Sequence, residues 1–242
     1  HNGSRGLGDV YKRQNQDIYE KTIGANWRAL WGKTGYSKSS VAYTSSKFTE
    51  DFNETSTGNP VVNNRSFEQA FKFRNVNHFI INSKSSLEFG VEAKHLISDF
   101  DISYAEYTDA HGMPIPAFLN NKRITANKFG SFATFTAKPL SDFSATLGIR
   151  SDYFSYNKSH HLSPRVSFSY KLSNRTSLNG ATGLFFQELP LILLSQNEIH
   201  QQLETPSAMH YILGIDHLLT PDTKLSLEAY QKNYDHFPLD PN

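Results

Sequence analysis

The segment 162–186, LSPRVSFSYKLSNRTSLNGATGLFF, contains two short runs in which every second residue is apolar, joined by a polar turn. In the first run the apolar set is Val166, Phe168, Tyr170 and Leu172, and the alternate set is Arg165, Ser167, Ser169 and Lys171. A period of two is typical of a β-strand with one apolar face. The segment therefore predicts an antiparallel hairpin, and the medium against its apolar face determines the class of protein.

The amino-acid composition favours an all-β protein and excludes several other classes of protein. Aromatic residues make up 13% of the 242 residues and helical heptads are hard to find, which favours an all-β chain. The formal charge of +1 lacks the basic excess of a nucleic-acid-binding protein. The absence of cysteine excludes disulfides and thiolate metal sites. The run LPLILL at 189–194 is far shorter than the ~20 residues of a membrane helix. A mean hydropathy of −0.52 is compatible with a membrane barrel, because polar lumen-facing residues dilute the average.

About ten alternating segments follow one another along the chain, and their connections differ in length. The short connections are at 32–35, 82–85, 140–142, 173–175 and 220–223, and the long ones are at 49–66, 108–123 and 188–207. Alternate short and long connections predict an up-and-down antiparallel sheet with its tight turns on one edge, as in outer-membrane barrels. Most segments also exceed the ~5–6 residues of a soluble strand and reach the ~9–11 residues of a membrane strand.

Two finer predictions concern the strands. In segment 86–107 the apolar row passes from odd positions, including Val91, to even positions, including Ile102, and such a phase change predicts a β-bulge. Aromatic residues recur near the long connections and predict an outward interfacial girdle; they are Tyr104, Tyr107, Tyr153, Tyr156, Phe185, Phe186, Tyr230 and Tyr234. Trp27 and Trp31, near a short turn, are expected in the opposite girdle.

Several stretches resemble the barrel of TonB-dependent outer-membrane receptors, closest to the type common in Bacteroidota. The resemblance is carried by LSPRVSFSYKLSNRTSLNGATGLFFQ, ELPLILLSQN and the hairpin LTPDTKLSLEAYQKNY, and it extends with decreasing clarity over 15–242. It implies an all-β fold: an antiparallel, up-and-down transmembrane β-barrel fragment, one curved sheet of about ten strands from a barrel of about 22 strands closed around a plug. The plug and the remaining strands lie outside this chain.

The resemblance also implies a function and its partners. Such receptors capture a scarce nutrient at external loops, which can be a ferric siderophore, cobalamin, a metal complex or a glycan. They import it across the bacterial outer membrane when the TonB complex acts on the plug. Outer-membrane lipid is therefore an expected partner, and nucleic acid, a cofactor and catalysis are not expected. Residues 1–14 contain RGLGDVYKRQ, an adaptor-like peptide, and are expected to be non-native.

Candidate site residues fall into two groups. Charged residues opposite the apolar rows are expected to face the lumen: Glu88, Glu92, Lys94, Arg150, Arg165 and Lys171. Loop histidines are weak candidates for ligand or metal contact, because imidazole is a common ligand but their spacing matches no compact site; they are His111, His160, His161 and His200. A hydrolytic site from Asp99, Asp101 and His111 is not favoured, because nothing fixes its geometry.

Two other classes of protein remain possible from the residues. A soluble extracellular β-sandwich or adhesin-like module would bury its apolar rows between two stacked sheets of short strands. A passive porin would share the barrel and lack an upstream plug. The contacts of the apolar face separate the first class from a membrane barrel.

Overall fold

Ten long strands form one antiparallel sheet in the computed structural model, which describes residues 13–53, 57–108 and 113–237. The long strands are β1 (Arg13–Leu30), β2 (Gly35–Asn53), β3 (Pro60–Asn82), β4 (Ser85–Tyr104), β7 (Phe118–Leu140), β8 (Phe143–Phe154), β9 (Ser159–Lys171), β10 (Thr176–Phe186), β11 (Ser207–Thr220) and β12 (Thr223–Asp235). A separate two-residue pair, β5 (Tyr107–Thr108) and β6 (Pro114–Ile115), lies between β4 and β7. Helix α1 (Leu191–Gln196) and a 3-10 helix (Glu198–Gln202) lie between β10 and β11. The predicted ten-stranded all-β fold is confirmed.

Each long strand pairs with the next long strand along the chain, so the sheet runs up and down without a crossover. The five predicted tight turns lie on one edge, and each leaves two to four residues between strands. The sheet is unclosed, since β1 and β12 are its end strands in the described part of the chain. Strand β1 begins at Arg13, and the prediction that residues 1–14 are non-native stays a prediction.

The predicted long loop at 49–66 is wrong over most of its length. Strand β2 continues to Asn53 and β3 begins at Pro60, and they stay in register through this polar stretch. The Arg65 guanidinium donates to both carboxylate oxygens of Asp51, at 2.6 and 2.7 Å. Polarity of a stretch therefore does not by itself indicate a loop.

The two faces of the sheet have opposite chemistry. Directly paired residues point to the same side, so the register assigns each side chain to a face. The apolar face carries Phe73, Val91, Phe129, Ile149 and Val166, each exposed over 40–52% of its surface. The charged face carries Arg74, Glu92 and Arg150, together with every strand residue of the buried apolar core. Large apolar side chains are therefore exposed on one face and buried on the other.

No second layer of described residues covers the apolar face, because the long strands all belong to one sheet. This arrangement contradicts the β-sandwich, which requires two stacked sheets with paired apolar faces. A continuous apolar surface of this kind marks contact with another apolar phase. Neither helix in the described ranges is long and apolar enough to cross a membrane.

The apolar row of β4 changes face without a bulge. The register of β4 with β3 and with β7 is continuous from Leu87 to Ile102, so the predicted β-bulge is wrong. Odd residues are apolar up to Ala93, His95 and Ile97 follow, and Asp99 and Asp101 come next on the same face. From Phe100 the apolar residues are even and lie on the charged face, where they are buried. The unbroken apolar row of the outward face therefore ends at Ala93, and carboxylates occupy this face of β4 from Asp99 onward.

Strand length supports this boundary. Strands β3 and β7 have 23 residues each, about 75 Å at ~3.3 Å per residue. The hydrocarbon core is only ~30 Å thick and needs ~9–11 residues of tilted strand. The first ten residues of β4, counted from its tight turn, end at Lys94, beside Ala93. Strands β2, β3, β4 and β7 are therefore longer than one crossing of a bilayer requires.

The aromatic girdle prediction is wrong for six rings. The register places Tyr104, Phe185, Tyr230 and Tyr234 on the charged face. Tyr156 packs against Phe154 on that side of the sheet, and Phe186 stacks on His161 there.

Two of the predicted rings lie on the expected side. Tyr153 is on the apolar face opposite Phe129, and Trp27, in the opposite girdle, is on the apolar face near a tight turn and 67% exposed. For the six wrong rings the position along the chain was predicted correctly, and the side of the sheet was not.

Segment 187–206, which we call the inward segment, packs over the upper part of the charged face. Leu194 of α1 is fully buried in a cluster with Ala126 of β7 and Phe154 of β8. A second cluster joins Phe100, Ile102 and Ile124 to α1. The inward segment is the reason why apolar residues of β4 switch to this face.

A charge placed in the apolar band should destabilise the protein that contains this chain. Val91→Arg is expected to lower the free energy of unfolding by about 2 kcal/mol, because its guanidinium would lie in hydrocarbon. The measurement is urea unfolding in lipid vesicles, followed by tryptophan fluorescence.

Thr125→Arg is the matched control, because Thr125 is exposed on the same face above the boundary, opposite Ile97. It is expected to change the free energy by less than about 0.5 kcal/mol. Equal losses for both variants would show that the band does not end near Ala93.

Leu194→Ala should release the inward segment and leave the sheet folded. Loss of a buried leucine side chain costs about 2–5 kcal/mol, and this loss falls on the contact between α1 and strands β7 and β8. Cleavage by a glutamyl endopeptidase at exposed Glu198 should accelerate, while the thermal unfolding of the strands stays unchanged. Ile199→Ala, at a side chain 63% exposed, should leave cleavage unchanged. Equal cleavage rates in the two variants would contradict the packing role of Leu194.

Candidate functional site

The charged face and the inward segment together enclose the candidate site. Polar contacts fix the inward segment to β7 at α1: Lys122 Nζ donates to the Ser195 carbonyl at 2.8 Å, and Asn120 Nδ2 donates to Ser195 Oγ at 3.0 Å. Tyr156, in the turn after β8, packs against both apolar clusters, and burial raises the pKa of its phenol. Its neutral hydroxyl accepts a hydrogen bond from Gln201 at 3.5 Å. The segment is therefore held on β7 and on the β8–β9 turn.

Below the inward segment, four charged residues form an ion-pair network across β3, β4 and β8. Glu92 receives Arg74 Nε at 2.9 Å on one carboxylate oxygen and Arg150 Nη2 at 3.1 Å on the other. Arg150 also donates through Nε and Nη2 to Asp152, at 2.7 and 2.6 Å. Such two-point contacts are the strong form of an arginine–carboxylate pair. The network leaves neither carboxylate available for another cation at these positions.

Gly130 makes room for this network. It lies opposite both Glu92 and Asp152, and a Cβ atom there would stand 2.7 Å from Arg150 Nη2. Any larger residue would push the guanidinium away from the sheet. The glycine therefore serves the packing of the ion pairs rather than a turn.

A cavity of about 230 Å³ lies between the network and the inward segment. Its lining includes Lys94, Lys128, Phe154, His161, Phe186 and Glu188. The His161 ring stacks on Phe186, with centroids 4.4 Å apart, and Glu188 Oε1 accepts a hydrogen bond from Ser159 Oγ at 3.0 Å. His161 Nε2 and Glu188 Oε2 are buried without a hydrogen-bond partner. The cavity thus joins polar groups of β4, β7 and β9 to the start of the inward segment.

The register places all six predicted charged residues on one face. The even positions of β4 place Glu88, Glu92 and Lys94 on the same face. The pairing of β4 with β7, and then with β8 and β9, places Arg150, Arg165 and Lys171 on that face too. Only Glu92 and Arg150 bond each other directly. The Arg165 guanidinium lies 4.4 Å from the Phe185 ring centroid. Whether this face borders the lumen of a closed barrel stays a prediction.

The predicted histidines do not form one site, and the loop position predicted for His160 and His161 is wrong because both lie in β9. His160 lies on the apolar face and its Nε2 is 2.9 Å from Ser151 Oγ, whereas His161 lies on the charged face. His200 Nδ1 is 2.9 Å from the Leu193 carbonyl, a contact that shapes the inward segment. His111 lies outside the described residues. Within those residues, no three histidine, aspartate or glutamate side chains are grouped so as to hold a metal ion.

The carboxylates considered for hydrolysis have other partners. Asp99 lies 3.5 Å from Arg123 Nε, and Asp101 accepts a hydrogen bond from Asn121 at 3.2 Å. Both point outward from the upper part of β4, away from the cavity. The proposed third member, His111, is outside the described ranges.

Sequence analysis missed Arg74, Lys128, Asp152 and Glu188 as site residues. Arg74 and Lys128 alternate with apolar residues, as Glu92 and Lys94 do. The alternation could therefore have assigned them to the charged face. Glu188 follows the last residue of β10 and comes beside His161 only through the fold of the inward segment. No spacing in the sequence indicates that contact.

Comparison with known proteins places this architecture in a family. The family model for the TonB-dependent receptor-like β-barrel matches residues 2–240. No curated protein matches the chain at a significant level. Among solved structures, the copper transporter OprC superposes with a TM-score of 0.71 at 11% identity, covering 93% of this chain and 40% of OprC.

Two further solved structures superpose in the same way. The siderophore receptor PirA from Pseudomonas aeruginosa gives a TM-score of 0.70 at 13% identity, covering 91% of this chain and 40% of PirA. The complex of FpvAI with pyocin S2 gives 0.64 at 13% identity, covering 89% of this chain and 33% of that chain. The chain thus spans 40% or less of the length of these three structures. One up-and-down sheet with an uncovered apolar face and a match over nearly its whole length together show that this chain belongs to the TonB-dependent receptor β-barrel family.

Proposed function

We propose that the chain is part of the outer-membrane barrel of a receptor that binds a scarce nutrient and imports it with energy from TonB. This proposal rests on the apolar face of the sheet. Its large side chains are exposed along the strands, and on β4 aspartates replace them from Asp99 onward. Lipid hydrocarbon is the medium that such a band requires. In this orientation the tight turns are periplasmic, and the inward segment belongs to the extracellular side.

The charged face then borders the lumen. Buried charges need partners, and Glu92, Arg74, Arg150 and Asp152 supply one another. Lys94, Arg165 and Lys171 have no carboxylate within ion-pair distance among the described residues. In the closed receptor, their partners would be the plug, water or a passing ligand.

The nutrient belongs to the classes that such receptors handle: a ferric siderophore, a metal complex, cobalamin or a glycan. The similar structures include a siderophore receptor and a copper transporter, which supports the first two classes. In this orientation the inward segment and the other connections opposite the tight turns form the extracellular surface that captures the nutrient. The fold does not require catalysis, and we propose none.

The parent gene tests the domain organisation. We expect a signal peptide followed by about 100–150 residues of plug, an ordinary domain size, before the part that encodes this chain. The same gene should encode another sequence in place of residues 1–14. A parent gene without a plug would favour a passive porin and contradict the proposal.

Uptake tests the activity. A bacterial strain that depends on the full-length receptor should grow on one of the candidate iron or copper complexes, or glycans, as the sole source of that nutrient. Growth should disappear when TonB is deleted, because only the energised complex acts on the plug. Binding and uptake of the labelled compound are measured in the same cells. Uptake that persists without TonB would overturn the proposed mechanism.

A further inference from the structure

Three lysines lie directly opposite one another on the charged face. Lys72 of β3 pairs with Lys94 of β4, and Lys94 pairs with Lys128 of β7. Opposed residues have Cβ atoms about 4.5–5.5 Å apart, so the three side chains leave the sheet within about 10 Å. We call this set the lysine row.

Like charges opposite one another destabilise a sheet, and no ion pair offsets this repulsion in the lysine row. No carboxylate of the described residues lies within ion-pair distance of the three ammonium groups. Glu92, two residues from Lys94, is already paired with Arg74 and Arg150. Glu188 and Asp152 attract Lys128 electrostatically without forming an ion pair with it or with Lys72 or Lys94. The three positive charges therefore lie side by side on the charged face.

The surroundings of the lysine row define a site. Lys128 Nζ lies 4.1 Å from the Phe154 ring centroid, so one end of the row rests against an aromatic face. Lys72 and Lys94 are exposed. The next row above contains Leu96 and Ala126, which pack beneath the inward segment. Lys94 and Lys128 also line the 230 Å³ cavity. Of the carboxylates in the same lining, Glu92 and Asp152 are paired with arginines and Glu188 accepts a hydrogen bond from Ser159, so the two ammonium groups are the cations of the lining that have no ion-pair partner.

We propose that the lysine row binds the carboxylate or phosphate groups of a small anionic ligand beneath the inward segment. The inference rests on the proposed function and gives the chemical class of its ligand. Ammonium groups form charge-assisted hydrogen bonds with such anions, and one anion with several oxygens can bridge neighbouring lysines. A cavity of about 230 Å³ is smaller than the ~300–1,000 Å³ of a whole-ligand pocket, so it takes the anionic end of the ligand.

Citrate is the probe, since its three carboxylates match a row of three cations. Titration calorimetry of the purified full-length receptor should show citrate binding that weakens as salt rises. The triple variant K72Q/K94Q/K128Q should bind citrate at least tenfold more weakly. The matched triple variant K38Q/K84Q/K138Q removes three exposed lysines nearer the tight turns and should keep wild-type affinity. Equal affinities in the two triple variants would overturn the proposal.

A second readout distinguishes a dissolved ligand from carboxylates of the plug. Without citrate, Lys94→Gln should raise Tm by about 1–2 °C, because it removes the central charge of three like charges. If plug carboxylates occupied the row, the same variant would lower Tm and the wild type would not bind citrate, which would overturn the proposal. Lys94→Arg keeps the charge and should keep citrate binding.

The inference and the proposed function fail in different ways. Citrate binding is measured on purified receptor and needs no energised transport. A receptor that binds citrate through the lysine row but imports nothing with TonB would contradict the proposed function alone. TonB-dependent uptake by a receptor that binds no citrate would contradict the inference alone.

Discussion

Hydrocarbon offers a polypeptide no hydrogen-bond partners, so every backbone N–H and C=O within the bilayer must pair inside the protein. The ten-stranded sheet meets this constraint through long, continuous ladders between successive strands. Its register irregularities lie next to turns or at a strand end, at residues such as Asn82, Leu140 and Thr220. Continuous register fixes every side chain to one face, so the ladder that satisfies the backbone also separates apolar from charged residues.

The apolar residues follow the surroundings at each level of the sheet. At the level of Val91 the apolar side chains lie on the exposed outer face, and at the level of Ile102 they lie on the inner face, beneath a protein segment. The strand keeps its register through this change, and only the side that carries apolar residues differs. The position of the switch in β4 therefore marks where the inward segment begins to cover the charged face.

Much of the fold was predictable from the sequence because period-two alternation is a local property. Strand number, tight turns and the common face of residues such as Glu92 and Arg150 follow from counting. The structure corrected the readings that used composition without register. The polar stretch at 49–66 is mostly strand, the phase change near Phe100 involves no bulge, and Tyr230 points inward.

The candidate site was less predictable because it depends on contacts between distant residues. The alternation assigns Lys72, Lys94 and Lys128 to the charged side of their own strands. Only the register of β3, β4 and β7 places them side by side. Glu188 reaches His161 because the chain after β10 folds back over the sheet, which no sequence spacing encodes. A single sequence indicates which side chains share a face and leaves open which of them are neighbours.

The inward segment connects β10 to β11 but rests on β7 and on the turn after β8. It therefore acts as a brace along the edge of the sheet opposite the tight turns and resists splaying of strands that are not neighbours. A displacement of Leu194 would change the position of β7 and β8 relative to β10 and β11. Replacing this loop with one from a relative would thus alter the mechanical stiffness of that edge.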